Sequence, residues 1–434
     1  MTAVAIPVAP WSIGLRGLGW TGLASVTGLV IRLGSNLLLT RLLAPQAYAL
    51  LGTAMTVLTL LEWLSDLGIQ PALVRHPRGD EPIALLTGWW MGLGRALGLS
   101  LLGLLLAWPT AWATGQLELV AIVACLAIRP ALLALRSPAF PLLRRDMRFR
   151  DLFLDEVTMT AAGTGISVLL AWWTGSVWAL VGGTLAGTLA VVVLSYVLVP
   201  QTPRLAWDRE IAADLTHFGT QVLLNTLVMA LWLNLDRLIG VRLAGLEAMG
   251  CYFVAWNLAS AAEGLLTRAC DVQFSLLSRQ AEAARIEQER RLLDRLTSVL
   301  MPIGAACVAL APLVCRALYD DRYAATGWML ALLGVRLMVR TPGQLRFQGL
   351  LAQGRIGASI GAYAVALLVQ TVLVLTLGTL WGAAGIATAT VLSTLAWTLV
   401  QTVLAPGHGW REGVWLSRTV GWAMLGLAGA WMFA

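Results

Sequence analysis

Apolar runs long enough to cross a bilayer recur along the whole chain and leave little sequence for anything else. A membrane-spanning helix needs about 20 predominantly apolar residues. Thirteen such runs can be read, at 14–41, 47–73, 83–113, 117–142, 152–173, 177–200, 213–241, 247–275, 296–318, 324–351, 356–378, 381–405 and 414–433. Backbone polar groups in hydrocarbon must be satisfied internally, and a run of this length does so as a helix. The chain therefore reads as an all-α polytopic membrane protein, with connections too short for a soluble domain. Several runs exceed the bilayer thickness, which implies tilt or projecting ends. Composition agrees: 12% of the residues are charged, about half the share of a soluble domain.

All 30 basic residues are Arg, and Lys is absent. A P-loop, a pyridoxal enzyme and a kinase each need a Lys. This polypeptide thus has no ATP-hydrolysing engine of its own, and its work must draw on a gradient, a partner or mass action. A GC-rich genome is a second sufficient cause of the bias. Cys125, Cys251, Cys270, Cys307 and Cys315 show no paired spacing and read as small buried hydrophobes. His76, His217 and His408 lie far apart, so neither a histidine metal site nor a cofactor is expected. Met1–Ser12 lacks the basic segment of a cleaved signal peptide, so the first span is expected to be retained.

Arginine placement orients the chain. With the N-terminus cytoplasmic, the inner connections carry seventeen arginines. The outer ones carry four: Arg41, Arg242, Arg316 and Arg322. Trp108, Trp112, Trp172, Trp173, Trp178 and Trp381 fit an interfacial aromatic belt on the outer side. The longest connection, Ser278–Thr297, is charged, Ala-rich and helix-forming. It reads as a solvated amphipathic linker or as a docking site for a cytoplasmic partner.

A shift of 201 residues lays RLLAPQA (Arg41–Ala47) over RLAGLEA (Arg242–Ala248). Each ends one long span and precedes another. Six spans followed by six in the same orientation form two parallel halves, 1–205 and 206–405, with 406–434 as an extra C-terminal segment. Transporters built from such repeats bind substrate between the halves near the bilayer midplane. The glycines of GGTLAG (Gly182–Gly187) and around Gly357–Gly361 lie inside spans and read as close helix packing.

Charges inside spans are the candidate functional residues, since each costs about 2.5–3.5 kcal/mol at mid-membrane. Arg32, Arg95, Arg129 and Arg336 fall near mid-depth, three of them in the first half. Arg136 follows Arg129 by seven residues, on roughly the same face of a continuous helix, and Arg340 follows Arg336 by one turn. Together they would form a cationic cavity for an anionic ligand, most plausibly phosphate or diphosphate, which the guanidinium fork grips bidentately. The plainer reading is that buried carboxylates neutralise them and stitch helices together. Glu62, Asp66, Asp236, Glu263 and Asp271 are the available partners, and Glu62 and Glu263 could instead bind a driving ion. No metal-hydrolase site, nucleophile elbow or Cys–His pair is present to support catalysis.

The stretches Arg41–Arg75 and Asn234–Ala259, with SLLSR (Ser275–Arg279) and LLAQGR (Leu350–Arg355), resemble the polysaccharide transporter family of Wzx-type O-antigen and exopolysaccharide flippases. That family belongs to the MOP superfamily, which also contains MATE exporters. The resemblance covers about residues 14–405. It implies a V-shaped pair of six-helix bundles working by alternating access in the bacterial inner membrane. The implied substrate is an oligosaccharide on undecaprenyl diphosphate, and a polysaccharide polymerase or export machinery is the implied partner. The single extra span, 414–433, departs from the family pattern of twelve spans or fourteen. A MATE-like drug exporter fits less well, because its site should be acidic. A polysaccharide polymerase or ligase fits least, because every outer loop is short.

Overall fold

The computed structural model describes residues 11–64, 73, 78, 80–220, 223–277, 282–352, 356–404 and 410–432. Among them every regular element is a helix. The first half contains α1 (Trp11–Leu42), α2 (Pro45–Leu64), α3 (Pro82–Thr114), α4 (Glu118–Leu126), α5 (Arg129–Ala134), α6 (Leu142–Arg145), α7 (Phe149–Thr174) and α8 (Trp178–Leu198). The second contains α9 (Arg209–Thr220), α10 (Leu223–Ala244), α11 (Leu246–Leu277), α12 (Glu282–Arg295), α13 (Met301–Leu318), α14 (Ala324–Ala352) and α15 (Ile356–Leu404), and α16 (Trp410–Met432) follows in the extra segment. Five stretches of described helix can cross a membrane by length and composition alone: Pro82–Thr114, Phe149–Thr174, Trp178–Leu198, Arg291–Leu318 and Ile360–Leu404. The other expected spans carry intramembrane charges or run into residues outside the described set. The six tryptophans assigned to the interfacial belt are all exposed, as a lipid-facing girdle requires.

Helix packing follows the small residues. On α8, a Cβ at Gly187 would lie 2.6 Å from the Met159 carbonyl of α7 and 3.1 Å from Gly163 Cα. The glycines thus let two backbones touch, as their sequence pattern indicated. Gly361 has open space around it, so close packing does not explain that position. In the second half α15 packs along α10 and α14, and α14 along α11 and α13. Within α15 the helical path breaks at Gly382 (φ 58°, ψ −137°), a conformation that only glycine adopts cheaply. This separates the two spans expected at 356–378 and 381–405. The extra helix α16 lies against α13 through Gly426 and Gly429, which face Ala305 and Ala309.

The expected continuous span 117–142 is instead broken into α4, α5 and a run of turns. Pro130 at the start of α5 has no N–H to continue the helical ladder. The turn beyond it is held from α8, where Ser137 N donates to Ser195 Oγ at 2.9 Å and Ser137 Oγ to the Val199 carbonyl at 2.6 Å. Arg136 consequently sits in this turn, not one heptad along a shared face with Arg129. The loop before α3 is clasped by Arg78, which donates to both Glu81 oxygens. That bond holds the Glu81 carboxyl below its ordinary value.

The halves meet where α2 packs against α10 and α11. Gly52 lies against the Phe253 ring, and a Cβ there would overlap it. These positions are 201 residues apart, which is the repeat shift. The repeat read from the sequence would make these two positions equivalent, and equivalent residues meet where a two-fold axis passes. Two phenylalanines could not share that point, and a glycine opposite one ring fills it. Next to it, Gly250 rests on the Pro45 carbonyl, Tyr323 Oη donates to the Leu43 carbonyl at 2.9 Å, and Arg322 donates to the Arg41 carbonyl at 3.1 Å. The two copies of the repeated RL motif therefore lie at the seam between the halves.

The long connection is helical, as α12, and Leu293 is buried against Leu345 of α14. Its polar face is solvated: Arg291 pairs with Glu287 at 2.8 Å while 71% exposed. An exposed i,i+4 pair contributes about 0.3–0.5 kcal/mol. Arg291→Ala is accordingly expected to leave both the melting temperature and transport close to wild type. A melting shift of several degrees would show that the polar face is docked.

Candidate functional site

A cluster of guanidinium groups forms where α10, α11 and α14 come together. On α11, Tyr252, Trp256 and Glu263 follow one another at helical spacing, which lines them along one face. On α14, Arg336 and Arg340 are one turn apart and face that stripe. Arg336 Nη1 lies 3.1 Å from Glu263 Oε2, and Arg340 Nη1 contacts Glu263 Oε1. One carboxylate thus occupies both guanidiniums, one oxygen to each. Arg336 is buried, with 4% exposure.

Two positive charges lie against Trp256. Arg237 of α10 lies 4.4 Å from its ring centre and Arg336 lies 4.7 Å from it. A desolvated cation over an indole face gains about 2 kcal/mol, which offsets part of the burial cost. Arg237 also donates to Asn234 Oδ1 at 2.6 Å and to the Leu233 carbonyl at 2.8 Å. The adjacent Asp236, 1% exposed, accepts from the Tyr252 hydroxyl. Its other oxygen, Oδ1, has no hydrogen-bond partner. Asp236, Trp256 and Arg336 line a small pocket with Trp232, Gln370, Thr390 and Thr394.

Behind the cluster the aromatic rings form a packed floor. Trp232 and Trp397 stack at 5.5 Å, Tyr363 and Trp397 at 5.8 Å, and Phe347 meets the Tyr363 ring at 5.8 Å. Arg340 lies 6.0 Å above Trp232. Rigid rings on three helices fix the direction in which the α14 guanidiniums point.

The first half is arranged differently. Arg129 pairs with Glu62 at 2.9 Å and Arg136 with Asp155 at 3.1 Å. Arg136 also lies over Phe140 at 4.5 Å, while Trp89 Nε1 donates to its carbonyl at 2.8 Å. Arg32 is exposed and Arg95 half-buried. The structure therefore brings Arg336 and Arg340 together and stitches Arg129 and Arg136 to separate carboxylates. Asp66 and the side chain of Asp271 lie outside the described residues. The sequence reading did not single out Trp232, Tyr252, Trp256, Gln370 or Trp397. Their signal was available, because Trp232, Trp256 and Trp397 fall inside spans and not at the ends where interfacial tryptophans belong.

Two guanidinium forks one turn apart, which here donate to one carboxylate, have the donor geometry that two phosphate oxygens also match. Among the described residues no group of side chains could hold a metal ion.

This all-helical architecture, with charges held between helices, has counterparts of the same fold among solved membrane proteins. Two solved structures share it over nearly their whole length. One is the lipid II flippase MurJ in an inward closed conformation (TM-score 0.64, 11% identity, 96% of this chain and 98% of that one). The other is an inward-facing multidrug resistance MATE family transporter of the MOP superfamily (TM-score 0.66, 14% identity, 92% of this chain and 95% of that one). At these identities the likeness is one of fold.

The family described as "Polysaccharide biosynthesis protein" matches residues 38–326, and the chain belongs to it. Two relatives are the succinoglycan biosynthesis transport protein ExoT of Rhizobium meliloti and the lipopolysaccharide biosynthesis protein WzxC of Escherichia coli. ExoT is 23% identical over 75% of this chain and 67% of that protein. WzxC is 20% identical over 56% of this chain, and the match spans only half of WzxC. Family membership and the apolar helices make the protein a multi-pass membrane protein of polysaccharide biosynthesis, and ExoT is named a transport protein.

Proposed function

We propose that this protein flips an undecaprenyl-diphosphate-linked oligosaccharide from the cytoplasmic to the periplasmic face of the bacterial inner membrane. The observation that carries the reading is the Arg336–Arg340 pair, two guanidiniums aimed at one bidentate anion within a membrane-spanning bundle. The polysaccharide-building roles in the names of ExoT and WzxC support the sugar half of the substrate. In this reading residues 1–205 and 206–405 rock against each other about the Gly52–Phe253 contact, and 406–434 rides with the second half. The N-terminus is cytoplasmic, which puts the sealed seam at Pro45, Gly250 and Tyr323 on the periplasmic side. The remaining cavity arginines, Arg32, Arg95, Arg129 and Arg136, line the path in the first half. Glu62, Asp66, Asp236, Glu263 and Asp271 supply the charge partners and the candidates for ion coupling. A cationic-drug exporter is disfavoured by the same arginines, which repel its cargo.

Deleting the gene tests this directly. Lipid-linked oligosaccharide is expected to accumulate on the cytoplasmic face and polymer to disappear. Delivery to the periplasmic face at the wild-type rate would overturn the assignment.

A further inference from the structure

Glu263 is the more exposed partner of the cluster. Its side chain is 17% exposed, against 5% for Arg336 and 14% for Arg340. It takes up both Arg336 and Arg340, so neither can offer the same hydrogen bonds to a ligand while it stays bound. Its two oxygens match in number and spacing the two free oxygens of a phosphodiester.

We propose that Glu263 is an internal counter-anion that a phosphate group of the substrate displaces, with the displaced carboxylate taking up one proton from water. The inference rests on the anionic-ligand reading above and deepens it. Removing a carboxylate from two guanidiniums and placing it beside a phosphate favours its neutral form. One O–H bond forms on Glu263, and the proton is drawn from solvent. Release of the substrate returns the proton and restores the ion pairs. Substrate binding is then linked to proton uptake, and it tightens as pH falls.

The surrounding charges favour this exchange. Arg237, Arg336 and Arg340 outnumber Asp236 and Glu263 among the described residues of the cluster, so neutralising Glu263 leaves an excess of positive charge for the ligand. The ionisable groups facing this region are Arg336 and Arg340 on α14, Asp236 and Arg237 on α10, Tyr252 on α11 itself and Tyr363 on α15. α1 and α2 also pack along α11; on them Arg32 is exposed and Glu62 is held by Arg129. Asp236 already accepts from Tyr252 and lies beside Arg237. Glu263 is therefore the carboxylate whose displacement frees two guanidiniums at once.

The test uses the full chain in lipid nanodiscs. The probe is a diphosphate diester carrying one sugar and a short prenyl chain, whose acid groups stay ionised across the working pH range. Calorimetry in buffers of different ionisation enthalpy is expected to show close to one proton taken up per probe bound by wild type. Affinity is expected to rise by up to about tenfold per pH unit as pH falls. Glu263→Gln, confirmed folded by its melting curve, is expected to bind about tenfold more tightly at high pH and to lose the pH dependence. Wild-type binding with no proton uptake, or a Glu263→Gln variant that keeps the wild-type affinity and slope, would overturn the inference. If Arg336→Ala still abolished binding in that case, the anion site would stand without it. Absence of binding by both wild type and Glu263→Gln would instead remove the anionic-ligand reading, and this inference with it.

Discussion

Gly250→Val is expected to open the seam between the halves and to suppress transport. The group a valine would strike is the Pro45 carbonyl, which is backbone and cannot swing aside as a side-chain tip can. Overpacking of this kind costs about 1–3 kcal/mol. In the alternating-access reading proposed above the seam parts in the opposite state, so the closed-seam state would carry the cost. A penalty of that size lowers its population about 5- to 150-fold relative to the opposite state. Cys251 is a native reporter: it is 3% exposed at the seam, with its Sγ 3.7 Å from the Arg322 carbonyl. With the other cysteines replaced by serine, Cys251 is expected to resist a membrane-impermeant maleimide in the wild-type background. In Gly250→Val it is expected to react, from the periplasmic side. Unchanged labelling together with normal export would show that the seam does not gate transport.

Arg336→Ala is the second large effect. It removes one of the two guanidiniums on Glu263 and one of the two cations on Trp256. Breaking a buried pair by deleting one partner costs about 3–5 kcal/mol, and the partial exposure of Glu263 places the expected loss at the lower end. Each charge-assisted hydrogen bond to a ligand contributes about 1.5–3 kcal/mol, so export is expected to fall by at least about tenfold. Folding and ligand binding are separated by pairing the change with Glu263→Gln, which removes the stranded carboxylate. The double variant is expected to recover most of the melting temperature and to remain defective in export. Recovery of both would reduce Arg336 to a helix stitch. Arg129→Ala, beside the 29% exposed Glu62, is expected to behave more mildly in both assays.

The membrane class and the helix positions were legible because both rest on local properties. Apolar length sets a span, and α3, α7, α8 and α13 begin and end within a few residues of their expected limits, apart from the later start of α13 at Met301. The break in 117–142 was also written locally, in Pro130, Pro138 and Pro141, but uniform apolarity hid it. The candidate site was legible only as a set of charges. Depth along a helix can be counted from its ends, which is how Arg336 and Arg340 came forward. Which carboxylate each arginine would meet was not legible: Arg129 and Arg136 each have one of their own. Glu62 lies 67 residues from Arg129 in sequence, and no spacing rule connects them.

By itself, the sequence determined that this chain lives in a bilayer as helices, that a short motif recurs at a shift of 201 residues, and that it holds charges within apolar runs. Those features follow from hydrophobic length, periodicity and residue type, which act over one or two helical turns. Only the tertiary structure decided which charge neutralises which. It also decided that Arg237 and Arg336 both lie against Trp256, and that Gly52 meets the Phe253 ring. Such contacts join helices far apart in the chain, and their geometry exists only once close packing has set the helices against one another.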